Sequence, residues 1–223
     1  MSIFDIIGPV MVGPSSSHTA GAAKIGLAAR RLLGETPVEA KLLLHGSFAA
    51  TGLGHGTDRA LVAGILGLQP DDIRLPISYQ LAAEAGLAVH KQSIRLIGAH
   101  PNSVRLELLG AAGNRLALEA ASLGGGRIRI TNIDGLSVRF QAEYPTLIVQ
   151  HTDQPGQLAQ LVELLAQDKI NVANLYLTRA GRGQLAIVVA ECDCELSERK
   201  LDKIRALPGL HKMIYLSLDE GGN

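Results

Sequence analysis

Apolar residues recur at helical spacing at Ile25, Leu27, Ala28, Leu32 and Leu33, with Lys24, Arg30 and Arg31 left for solvent. The run Ala20 to Leu33, closed by Gly34, therefore reads as an amphipathic helix. Lys41-Leu42-Leu43-Leu44 reads as a buried strand that exits into a glycine-rich loop, His45 to Asp58, ahead of a helix from about Asp58 to Leu66. After the break at Pro70-Asp71-Asp72, the positions Leu81, Ala82, Ala85 and Val89 place an Ala-rich helix over Ser78 to Val89. The period then changes from helical to alternating. Ser93 to Leu96, Ser103 to Leu109, Arg115 to Ala121, Arg127 to Ile133 and Leu136 to Ala142 predict strands, largely antiparallel, with hairpin turns at Ala112-Gly113-Asn114 and Asp134-Gly135. Ahead of these elements lie a short amphipathic lead, Met1 to Ile7, and the turn signals Gly8-Pro9 and Gly13-Pro14.

A boundary is expected near Glu143 to Pro145, dividing the chain into domains 1–144 and 145–223. Beyond it the pattern reads strand (Thr146 to Thr152), helix (Gly156 to Gln167), strand (Asn171 to Arg179), strand (Gln184 to Ala190), helix (Ser197 to Ala206) and strand (Leu210 to Leu218). That order is the split βαβ arrangement of ferredoxin-like, βαββαβ domains, so the fold class is α+β with an α/β domain in front. Asp153 precedes the first helix of this half, and capping of that helix accounts for it. Cys192 and Cys194 read as a surface loop carrying two thiols.

Composition narrows the partners. Lys plus Arg and Asp plus Glu balance at 21 each, which leaves no basic footprint for nucleic acid, and Trp is absent. The start lacks the basic region and cleavage site of a signal peptide, and no apolar run is long enough to span a bilayer, so a cytoplasmic location is expected.

The densest chemistry is Gly13-Pro14-Ser15-Ser16-Ser17-His18-Thr19, where a stiff turn meets a helix N-terminus whose free N–H groups and dipole favour an anion. One hydroxyl suffices to cap a helix; four hydroxyls with a histidine make a candidate carboxylate site containing a base. His45 and His55 sit in the glycine-rich loop, as ligand-approaching groups or as hydrogen-bonded structural ones. A metal set of His18, His45, His55 and Asp58 matches no closed zinc spacing. At His100-Pro101-Asn102 and Gly124-Gly125-Gly126, turn chemistry is the simpler account, with convergence on the site near His18 as the functional one.

Taken together, the Gly13 to Thr19 motif with Gly21-Ala22 and Lys24-Ile25-Gly26, the His45-Gly46-Ser47 to Asp58-Arg59-Ala60 loop, His100-Pro101-Asn102 and the C-terminal half resemble the β chain of the iron–sulfur-dependent L-serine dehydratases (L-serine ammonia-lyases). The resemblance runs over nearly the whole chain. It implies an allosteric-substrate-binding-type first domain, an ACT domain after it, and conversion of L-serine to pyruvate and ammonia. It implies a [4Fe–4S] cluster as Lewis acid on the substrate hydroxyl. Such a cluster needs three cysteine ligands, and this chain has two, one residue apart; the ligands would lie on a separate α chain, in an αβ or α2β2 assembly. Carried over residue by residue, His18 is the candidate base at Cα, Ser15, Ser16, Ser17 and Thr19 orient the substrate carboxylate or the imidazole, and the helix N-terminus keeps His18 neutral. His45, His55 and Asn102 shape the site or its regulatory surroundings. An ACT ligand would be met by Asp153, Gly156, Asn171 and Asn174, although a strand-entry turn explains the two Asn equally well. Two other classes stay in view: a non-catalytic amino-acid-sensing regulatory subunit, and a stand-alone hydrolase using Ser16 or Ser17, which lacks a Gly-x-Ser-x-Gly elbow.

Overall fold

The computed structural model describes residues 11–50 and 52–217, so the lead Met1 to Ile7 and the Gly8-Pro9 turn lie outside the described residues. The chain forms two compact units that divide between Gly135 and Leu136. The strand at the division, Leu136–Phe140, is the last of a six-stranded sheet.

In the first unit a π-helical turn, Ser16–Gly21, leads into α1 (Ala22–Leu33), so regular α-helix starts two residues later than the apolar pattern places it. Gly34, in the left-handed region at φ 77°, ends α1 and returns its N–H to the Arg30 carbonyl. β1 (Pro37–His45) is followed by α2 (Ser47–Ala50), α3 (Gly52–His55) and α4 (Thr57–Ile65). The expected open loop is thus two short helical turns. A 3-10 turn, Leu75–Ile77, enters α5 (Ser78–Glu84), which stops well short of Val89 because Gly86 turns the chain at φ 70°. Val89 instead lies in β2 (Ala88–Ile94), followed by β3 (Ser103–Gly110), β4 (Arg115–Gly124) and β5 (Arg127–Ile133).

These strands lie in the order β2-β1-β3-β4-β5, with β1 and β2 parallel and the remaining pairs antiparallel. Register puts Leu42 opposite Leu106 and Leu106 opposite Leu118, a buried apolar row against which α1 packs. On the other face Arg105 bridges Glu107 at 3.1 Å and Glu119 at 3.6 Å. The sheet is therefore one-sided, and the ends of β1, β3 and β4 carry the loops of interest.

The second unit opens with β6 (Leu136–Phe140) and continues as β7 (Thr146–Thr152), α6 (Gln157–Gln167), β8 (Val172–Arg179), β9 (Leu185–Cys192), α7 (Glu198–Arg205) and β10 (Leu210–Leu216). The order β10-β7-β9-β8, antiparallel throughout, is the ferredoxin-like arrangement expected of an ACT domain. Leu147, Val149, Val188 and Ala190 of the sheet meet Leu161, Leu165, Leu201 and Ile204 of the helices in one core. Cys192 belongs to that core rather than to a surface loop, and burial pushes its thiol up to about 11; Cys194 is exposed. No helix among the described residues is long and apolar enough to cross a membrane.

Lys200 of α7 is buried, and its ammonium reaches the Leu164 carbonyl at 2.5 Å and Asp168 at 2.9 Å. A lysine here meets the negative end of α6. Replacing Lys200 with Met keeps the stem's packing but strips that carbonyl of its donor. The expected loss is about 1–3 kcal/mol of stability, read as a lower urea midpoint with an unchanged slope.

Candidate active site

The π-helical turn is capped by Ser15, whose extended backbone lets its hydroxyl accept the His18 N–H at 3.2 Å. The same Oγ stands 3.4 Å from His18 Nδ1, so one serine both caps the turn and touches the ring. The opposite nitrogen, Nε2, lies 3.0 Å from Ser47 Oγ. Ser47 starts α2 immediately after Gly46, and Gly46 is required there: at φ 57° a Cβ would fall 2.4 Å from the Pro101 carbonyl oxygen. That carbonyl accepts the Ser47 N–H at 2.8 Å. Phe48 meets the His18 ring edge-on at 5.4 Å between centroids, and the His55 ring lies tilted against it at 5.1 Å.

His18 is half-buried, and its pKa is lowered first by that burial and then by the nearby His55; a hydrogen bond to the Ser47 backbone works in the opposite direction. Neutrality thus arises from desolvation and a second imidazole, whereas the sequence had pointed to the helix dipole. What results is a neutral imidazole clamped between two hydroxyls beside a second imidazole. That combination can take up a proton from a carbon acid.

The other hydroxyls serve the frame. Ser16 Oγ accepts the Gly125 N–H at 3.3 Å, and Ser17 faces Gly124. Thr19 is buried, and its hydroxyl donates to the His55 carbonyl at 3.4 Å, so it acts on the site through His55. His45, at the end of β1, accepts the Leu96 N–H on Nδ1. The Asn102 N–H donates to His100 Nδ1, and its carbonyl accepts the Ser122 N–H. Both irregular points for which turn chemistry was the simpler account, His100-Pro101-Asn102 and Gly124-Gly125-Gly126, do converge on the site: one holds Ser47, the other Ser16. Ser47 and Phe48 were missed by sequence reasoning; the signal was Ser47's position two residues beyond His45, where a strand exits through a glycine.

The metal set does not form. Asp58 is committed to Lys91 at 2.5 Å, to Tyr79 at 3.3 Å and to the Arg59 N–H at 2.9 Å, and no group of three or more His, Cys, Asp or Glu among the described residues could hold a metal ion. Burial beside the Asp58 charge pushes the Tyr79 hydroxyl up to about 12. A cavity of about 200 Å³ opens next to the ring pair, lined by Pro14, Thr19, His55 and Arg59 among others. A larger one, about 760 Å³, is lined by Arg95, His100, Glu119 and Arg129 and includes none of Ser15 to Thr19.

In the second unit Asp153 does not cap α6, whose N-cap is Gly156 at φ 90°. Asp153 accepts instead from Arg179 at 2.7 Å and from the Gly183 N–H at 3.2 Å, and the Arg179 bond holds its carboxyl below the usual range. Asn171 sits just before β8 and donates to Asp193 at 2.6 Å, while Asn174 lies exposed within β8. Asp153 and Asn171 therefore mark opposite ends of β8.

Residues 2–86 match the serine dehydratase beta chain family. The chain is 39% identical over 209 residues to a probable L-serine dehydratase, beta chain, of Bacillus subtilis (strain 168), with 94% of each chain covered. It is 39% identical over 198 residues to the L-serine dehydratase, beta chain, of Peptoniphilus asaccharolyticus, covering 88% of this chain and 89% of that one. Among solved structures, the ACT domain from GTP pyrophosphokinase of Chlorobium tepidum aligns with 35% of this chain and 90% of its own length, at 15% identity and a TM-score of 0.28.

Proposed function

Since this chain belongs to the serine dehydratase beta-chain family, we propose that it completes the active site of an L-serine dehydratase whose α chain is a separate polypeptide. The observation that carries the reading is His18, half-buried with a lowered pKa and contacted on both ring nitrogens by the Ser15 and Ser47 hydroxyls. His18 takes the α-proton of L-serine. The electron pair of the Cα–H bond becomes the Cα=Cβ bond, and hydroxide departs with its own pair to be protonated to water. The enamine that results becomes an imine and takes up one water, releasing ammonia and pyruvate.

A [4Fe–4S] cluster does not fit the residues of this chain. Cys192 is buried with its thiol held protonated, Cys194 is exposed, and three thiolates are required. We place the cluster on the cysteine-bearing α chain. Regulation by an amino acid or ion through the ACT unit is part of the same proposal.

The test is anaerobic purification of the tagged chain from its native host. A brown complex with a cysteine-bearing partner that forms pyruvate from L-serine is expected; a colourless, solitary chain that merely binds serine would sink the reading. A second measurement follows from the pKa. Because His18 is depressed, it stays deprotonated to lower pH than an ordinary histidine, and the acid limb of kcat/KM should fall below pH ~6.5. A limb well above that value would remove His18 from the base role.

A further inference from the structure

We infer that Ser47 is a positioning residue that holds neutral His18 as the Nε2–H tautomer, leaving Nδ1, on the Ser15 side, as the atom that accepts the α-proton. The inference rests on the reading of His18 as the base and assigns the atom that acts.

A neutral imidazole donates from one nitrogen and accepts at the other, and its partners decide which. Ser47 Oγ, 3.0 Å from Nε2, does not decide alone, because a hydroxyl both donates and accepts. Ser15 decides with it. The Ser47 N–H is committed to the Pro101 carbonyl at 2.8 Å, which holds its hydroxyl against Nε2. On the other side, Ser15 Oγ already accepts the His18 backbone N–H, which leaves its hydroxyl proton to point at Nδ1, so that Nδ1 accepts and Nε2 carries the ring proton toward Ser47 Oγ. At 3.4 Å the Ser15 contact is long, and a substrate displaces it at small cost.

Proton transfer then has a defined course. The α-proton goes to Nδ1, the former C–H pair stays with the substrate, and the imidazolium carries two N–H donors, one toward Ser47 and one toward Ser15. The groups facing the ring are Ser15, Ser47, Phe48 from α2 and the titratable His55 from α3. His55 opposes the imidazolium and Ser47 supports it. The Gly46 turn and the Pro101 carbonyl hold Ser47 in register, so the His45-Gly46-Ser47 and His100-Pro101-Asn102 motifs act at His18 through this one side chain.

Two experiments test this. The full chain labelled with ¹⁵N-histidine, with His18 assigned by its loss in His18→Gln, is read above the pKa of the ring. A protonated-type shift for Nε2 and a pyridine-type shift for Nδ1 are expected, and the reverse pattern overturns the inference. In the assembled enzyme Ser47→Ala should lower kcat about tenfold, the worth of one hydrogen bond to a charged group. KM for serine should hold while the acid limb moves to lower pH, because an acceptor for the imidazolium is gone. Ser47→Thr should restore both. A lower kcat with an unmoved limb, or no change at all, overturns the positioning role. The nitrogen shifts need no turnover, so they stand apart from the test of His18 as the base.

Discussion

Replacing His18 with Ala in the assembled enzyme is expected to lower kcat by about 10²–10⁴-fold, the usual contribution of a positioned general base, with a much smaller change in KM for serine. The ring is half-buried on a turn ahead of α1, so its loss leaves the core of the first unit intact, and circular dichroism of the variant should match the parent. The cluster's visible spectrum should also be unchanged, since the proposal places it on the α chain. The regulatory-subunit reading predicts something different: an altered response to serine with the maximal rate preserved. A kcat within a few-fold of the parent would therefore move this chain out of the chemistry and into control. The stand-alone hydrolase fares poorly on geometry alone, because Ser16 is bonded to Gly125 and Ser17 faces Gly124, while the hydroxyls on the His18 ring belong to Ser15 and Ser47.

The Gly13 to Thr19 motif was legible as a candidate site because hydroxyls and a histidine crowded a turn beyond what capping needs. Its composition does not reveal the division of labour within it. Ser15 serves the ring, Ser16 the frame and Thr19 the His55 carbonyl, and each role is set by a partner from 36 to 109 residues away or by the backbone of the turn itself. Ser47 was hidden for the same reason: nothing local connects residue 47 to residue 18. The ferredoxin-like half was legible because its alternating strands and amphipathic helices each carry their own period. Val89 was misread as helical because Ala-rich segments satisfy both periods, and the turn at Gly86 decides between them. Asp153 was misread as a cap because its Arg179 partner lies a whole helix and strand away.

Gly64→Ala is expected to destabilise the first unit by about 3 kcal/mol, the upper end of the range for overpacking, although Gly to Ala in a helix interior ordinarily stabilises by about 1 kcal/mol. The sign reverses because α1 and α4 touch backbone to backbone. A Cβ on Gly64 would stand 2.0 Å from the Ala23 carbonyl oxygen, and one on Gly26 would stand 2.3 Å from the Leu61 carbonyl oxygen. Neither oxygen belongs to a rotatable side chain, so the helices themselves must separate. At roughly 2–4 °C per kcal/mol, the melting temperature should drop by roughly 6–12 °C; a rise would mean that the helices part freely. Gly26→Ala should do the same, and the two together should cost less than their sum, because helices already separated by one methyl have room for the other. The consequence reaches the site. α1 continues the turn that carries His18, and α4 begins two residues after His55, so moving one helix from the other shifts one imidazole against its neighbour. Turnover of Gly64→Ala should therefore fall even at temperatures where the variant stays folded, since small misplacements of a reacting group are costly. Lys24-Ile25-Gly26 was among the residues that carried the family resemblance, and the α1–α4 contact gives Gly26 its physical reason: without a Cβ it lets α1 meet the backbone of α4.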